Sequence, residues 1–113
     1  MTRNIRLFIE DILVAFSKLE AKTKDMTYEQ FCSDEWFLDA VVNNFHIIGE
    51  AVKNVPSFIK TKYPNIPWKA MAGMRDILSH QYYTARSDIL WKTIKERIPQ
   101  IKPTLEKILK DLE

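Results

Sequence analysis

Ile5, Phe8, Ile9, Ile12, Phe16 and Leu19 follow one another mostly at steps of three and four, and that spacing lines one side of a helix. The same period recurs in later segments, and no segment shows the strict alternation of a half-buried strand. Only two glycines occur in 113 residues, Gly49 and Gly73. That scarcity argues against a turn-rich sandwich and against any glycine-rich phosphate loop; neither GxGxxG nor GxxxxGK[ST] is present. The sequence therefore predicts an all-α domain spanning residues 1–113, an antiparallel four-helix-type bundle with short accessory helices.

Punctuation sets the expected boundaries. A first helix covers roughly residues 3–22, and "KTKDMT" ends it. Thr27 and Gln30 have capping-box spacing. Ser33 is expected to cap the next helix, with Asp34 and Glu35 in its first turn complementing the helix dipole. From there "DEWFLDAVVNNFHIIGEAVKNV" runs to Pro56 with Trp36, Ala40, Phe45, Ile47, Ile48, Ala51, Val52 and Val55 as its apolar face. Residues 57–62 make about one turn. Pro67 suits the first position of a fourth helix that fades near Thr84. Ser87 is read as the cap of a last helix, which Pro99 and Pro103 must kink or split because each removes a backbone donor.

Composition excludes little else. Hydrophobic residues make up 46% and charged residues 28%, with a formal net charge of +2, a globular balance that permits a nucleic-acid partner without indicating one. The lone Cys32 cannot form an internal disulfide, and no Cys/His set has zinc spacing. With no signal peptide and no run of 18 apolar residues, a soluble cytoplasmic chain is expected.

The segment "GMRDILSHQYY", Gly73 to Tyr83, carries the chemistry. On a helical wheel with Arg75 at zero, Ser79 falls near 40°, Tyr83 near 80°, Asp76 near 100° and His80 near 140°. Met71, Met74, Ile77 and Leu78 occupy the other arc, and Tyr82 lies at its edge. Polar residues opposite an apolar stripe are what any surface helix shows. This arc, however, holds Arg, Asp, Ser, His and Tyr in place of the usual Lys/Glu mixture. An arginine forks onto phosphate and a histidine titrates near neutral pH. The set is a minimal kit for cleaving RNA through its own 2′-hydroxyl, and two copies across a dimer axis would complete it.

"AVVNNFHIIGEAVKNV", "YPNIPWKAMAGMRDILSHQYY" and "LWKTIKERIPQIKPTLEKIL" resemble, in order and spacing, the HepT toxins of the HEPN (higher eukaryotes and prokaryotes nucleotide-binding) superfamily. The resemblance covers essentially the whole chain. Its R-x4-H-x-Y signature is found as Arg75, His80 and Tyr82. It implies a homodimeric, metal-independent endoribonuclease toxin without a cofactor. Arg75 would contact the scissile phosphate, His80 would act as general acid or base, and Asp76 would orient the pair. Ser79 and Tyr83 are possible auxiliaries. It also implies a nucleotidyltransferase antitoxin that uses ATP and magnesium to transfer AMP onto Tyr82. The alternative is a catalytically weak helical module that binds or neutralises that nucleotidyltransferase. Two positions differ from the family pattern. Asp76 replaces a frequent Asn and could pair with Arg75, and Gln81 stands where an acidic residue is usual.

Other features have plainer readings. His46 and Glu50 are i,i+4 neighbours but lack the further carboxylates of a di-metal bundle, so a metal is not expected. Trp36, Trp68 and Trp91 are read as packing anchors. Gly73 in mid-helix suggests close approach of a neighbouring helix, from this chain or a dimer mate. Lys95, Lys102, Lys107 and Lys110 read as a solvated face.

Overall fold

The computed structural model describes residues 2–78 and 87–113, with side chains placed over 4–73 and 87–113. Every regular element among the described residues is helical. The elements are α1 (Thr2–Thr23), α2 (Tyr28–Ser33), α3 (Glu35–Asn54), α4 (Ser57–Lys62), α5 (Trp68–Leu78), α6 (Ser87–Lys92), a π turn (Thr93–Arg97) and α7 (Ile98–Asp111).

The core forms where the apolar stripes meet. α3 packs on α1 along one side and on α5 along another, while α7 covers α1. Ile5, Ile9, Ile12, Phe16 and Leu19 of α1 are buried, as are Leu38, Val41, Phe45, Ile48, Ala51, Val52 and Val55 along α3. Leu38 and Val41 were absent from the expected stripe of α3. Three residues expected on it are exposed: Ala40, Ile47 at the margin, and Trp36, which is 87% exposed. Trp36 precedes the point where the stripe turns inward at Leu38, so it anchors no packing. The other two tryptophans do: Trp68 is buried, and Trp91 lies 5.0 Å from the Phe31 ring.

Local sequence explains the boundaries. Thr27 Oγ1 accepts from the Gln30 N–H at 3.1 Å and Gln30 Oε1 accepts from the Thr27 N–H at 2.9 Å, a complete capping box. Ser33 does not cap α3. Its hydroxyl donates back to the Gln30 carbonyl within α2, and the Asp34 carboxylate takes the cap, accepting from Phe37 N–H at 3.0 Å. An ionised acceptor also gains from the helix dipole, which favours Asp over Ser at that position. The Pro67 carbonyl accepts from Met71 N–H, so Pro67 lies one place before the first residue of α5. Ser87, likewise, is the first residue within α6.

The prolines act differently from a break. Ile98 N–H reaches back five residues to the Thr93 carbonyl. This wider turn sets Pro99 at the second position of α7, where its fixed φ suits the helical backbone. The helix then continues through Pro103 to Asp111, so residues 87–111 form one unbroken helical run with a π turn inside it.

Two of the lysines read as a solvated face also reach α1, and Lys95 stays exposed while doing so. Lys95 Nζ donates to the Thr23 carbonyl at the end of α1, 2.7 Å away. Lys102 Nζ lies 2.9 Å from Glu20 Oε1. Lys107 and Lys110 are exposed.

The start of α5 hangs on a short chain of bonds. Trp68 Nε1–H donates to the Tyr63 carbonyl at 3.0 Å, and the Tyr63 hydroxyl donates to Asp111 Oδ2 at 2.5 Å. That bond holds the Tyr63 phenol above its ordinary pKa, with burial and the Asp111 charge adding to it. Deprotonation is therefore harder in the folded chain than in the unfolded one. The stability from this bond is complete below the ordinary value of 10.0 and is lost as the pH rises through the raised one. Thermal melts from pH 8 to 11 should show wild type losing about 1 kcal/mol more than Tyr63→Phe over that window; parallel curves would remove the bond from the account.

Candidate functional site

The motif segment leaves the described fold in α5 and re-enters it in α6, and both ends are fixed. α5 lies against α3, with Trp68 and Met71 buried. At the other end Ser87 is buried, and its Oγ lies 3.3 Å from Cys32 Sγ on α2. Trp91, one turn later, contacts the rings of Tyr28 and Phe31. Hydrogen bonding to Cys32 holds the Tyr28 phenol above its usual pKa and burial adds to this, whereas the Ser87 hydroxyl acts in the opposite sense. The Tyr28, Cys32 and Ser87 side chains thus form a small polar cluster that joins α2 to the first turn of α6.

Arg75 and Asp76 fall within α5. Position 75 stands four residues after the buried Met71 and seven after the buried Trp68, and position 76 stands seven after Lys69 and three after Gly73. The two positions are about 100° apart around the axis. Ser79, His80, Tyr82 and Tyr83 lie outside the described residues, as does the expected end of the helix near Thr84.

Among the described residues a Cβ built at Gly73 meets nothing within 4 Å, so none of them makes the close approach expected for this glycine. His46 is exposed on α3, and among the described residues no group of three or more His, Cys, Asp or Glu could hold a metal ion. No helix among them is long and apolar enough to cross a membrane.

Sequence reasoning missed the Cys32–Ser87 contact and the lysine ties at Thr23 and Glu20. Each joins residues more than fifty positions apart, and periodicity carries no information about such pairs. The only available signal was the seven-residue spacing of Lys95 and Lys102, which sets both on one side of their helix.

The described residues form an all-helical domain in which the motif arginine falls within a helix packed on α3. Comparison with known proteins agrees: residues 12–108 match the family model described as "Ribonuclease HepT-like". The chain is 47% identical to a Methanocaldococcus jannaschii protein named a "Putative RNase" over 98% of this chain and 96% of the other. A second protein of that organism, with the same kind of name, is 46% identical over 98% and 92%. A Thermococcus cleftensis protein named "Probable ribonuclease HepT" is 42% identical over 97% of this chain and 100% of its own. No solved structure matches significantly. The chain belongs to the HepT-like ribonucleases of the HEPN superfamily, and its reaction class is endoribonucleolytic.

A substitution at Gly73 separates stability from activity. Gly73→Ala should raise stability by up to about 1 kcal/mol through helix propensity alone, read from thermal denaturation. If RNA or a second protomer approaches closely there, the same variant should cleave more slowly despite its higher melting temperature. Unchanged cleavage would leave the glycine without a role in either approach.

Proposed function

We propose that this ribonuclease is the toxin of a toxin–antitoxin pair and works as a homodimer whose two motif segments face each other. The observation that carries this reading is the Arg75–His80–Tyr82 spacing, begun on a helix packed on α3, in a chain of the HepT-like family. One protomer supplies a single motif arginine and a single motif histidine. Cleavage by an RNA's own 2′-hydroxyl needs both a base and an acid, and a second copy would provide the missing partner.

In this reading one His80 takes the proton from the 2′-hydroxyl as its oxygen attacks the adjacent phosphorus. The other His80 protonates the departing 5′-oxygen. Arg75 binds a non-bridging phosphate oxygen and stabilises the charge that grows on it in the transition state. Asp76 orients the pair, and its carboxylate favours the imidazolium form if it lies against His80. Ser79 and Tyr83 are auxiliary candidates. The products are a 2′,3′-cyclic phosphate and a 5′-hydroxyl, and the residues alone account for every proton moved.

Neutralisation would come from a nucleotidyltransferase antitoxin. The Tyr82 phenol oxygen would attack the α-phosphorus of ATP, forming a phosphodiester to AMP and releasing pyrophosphate. The added anion would compete with RNA for Arg75. Expression of the chain alone should then arrest growth, and His80→Ala should relieve the arrest. Co-expressed antitoxin should rescue wild type with a mass gain of one or more AMP units, whereas Tyr82→Phe should gain none. Harmless expression of unmodified wild type would instead favour a binding or neutralising partner of the nucleotidyltransferase.

A further inference from the structure

A cleft of about 490 Å³ lies between the last turns of α1 and the C-terminal helical run, lined in part by Glu20, Lys24, Lys95, Pro99 and Lys102. Three lysines and one glutamate leave the cleft with a formal excess equal to the +2 of the entire chain.

Two of the three ammonium groups are held in place. Lys95 Nζ donates to the Thr23 carbonyl at 2.7 Å and lies 4.8 Å from the centre of the Trp91 ring. Lys102 Nζ is 2.9 Å from Glu20 Oε1. An ammonium has three donors, and each of these contacts uses one. The side-chain entropy that a lysine normally loses on gripping an anion is already lost here. Lys24, exposed in the turn just past α1, adds a third charge at the rim. Stapling α1 to the π turn and to α7 accounts for Lys95 and Lys102 but not for Lys24, nor for the space they enclose.

We propose that this cleft binds the phosphodiester backbone of the RNA substrate outside the cleavage site. The inference rests on the ribonuclease activity and extends it. Lys95 follows Ser87, where the chain returns from the motif segment, by eight residues, or about 12 Å along the helix. A strand leaving the motif segment along α6 would meet the three ammoniums next, and their attraction is independent of base identity. The cleft therefore sets how tightly RNA is held and on which side of the cut it must extend, without a role in bond breaking.

The test is fluorescence anisotropy of a labelled single-stranded RNA bearing 2′-O-methyl riboses, which block 2′-hydroxyl attack, titrated at several salt concentrations with protein of confirmed unmodified mass. Lys24→Ala should weaken binding several-fold and reduce the slope of log affinity on log salt by about 0.7. Lys24→Glu should weaken it further, and Lys95→Met, which keeps the stem over Trp91, should act in the same direction. Lys107→Glu is the control, an exposed change on α7 with the same effect on net charge as Lys24→Glu. Equal losses in Lys24→Glu and Lys107→Glu would overturn the proposal, as would wild-type affinity in all three cleft variants. Failure of wild type itself to bind the RNA would overturn the proposal together with the ribonuclease reading beneath it.

Discussion

The structure depends on α3 being apolar on two sides at once. Its buried residues face α1 through one set and α5 through another, so this one helix fixes both the main core and the placement of the helix that carries Arg75. Burying a side chain such as Leu38 or Ile48 contributes about 1.5–3 kcal/mol relative to leaving it in water. Five such positions, Leu38, Val41, Phe45, Ile48 and Val52, make α3 costly to shift by even one residue. The placement of α5 is therefore inherited from α3.

The rest of the fold braces the motif segment from outside. Trp68, Tyr63 and Asp111 tie the start of α5 to the end of α7, and Cys32 with Ser87 ties the start of α6 to α2. Rigid flanks suit a phosphoryl-transfer site, since a displacement of a fraction of an ångström in a charged donor weakens its hold on the transition state more than on the substrate. The π turn at Thr93–Arg97 belongs to the same economy of parts. It accommodates Pro99 without a break and lets one continuous helix both frame the motif and carry lysines to the end of α1.

Much of this was legible before any coordinates. Helix boundaries followed from Thr27, Gln30, Pro56 and Pro67, because caps and prolines act through neighbours a few residues away. The buried stripe of α1 followed from its period. Trp36 was misread because apolarity alone does not say which side of a helix faces inward at its first turn. Ser33 lost the cap of α3 to Asp34 for an electrostatic reason that a list of permitted cap residues does not rank. Lys95 and Lys102 were read as solvated because their partners lie on α1, a contact that only tertiary folding creates. At the site, residue type and spacing singled out Arg75 as a candidate, and the wheel drawn from it put Met71 on an apolar arc, which the burial of Met71 agrees with.

The central claim is that this chain cuts RNA with Arg75 and His80 and needs no metal. It is tested most directly by incubating end-labelled RNA in EDTA with purified, unmodified wild type and with His80→Ala. The account predicts cutting by wild type that leaves 2′,3′-cyclic phosphate ends, and at least about a hundredfold slower cutting by the variant. Equal cutting by the two proteins, or 3′-hydroxyl ends, or activity that disappears with the metal, would contradict it.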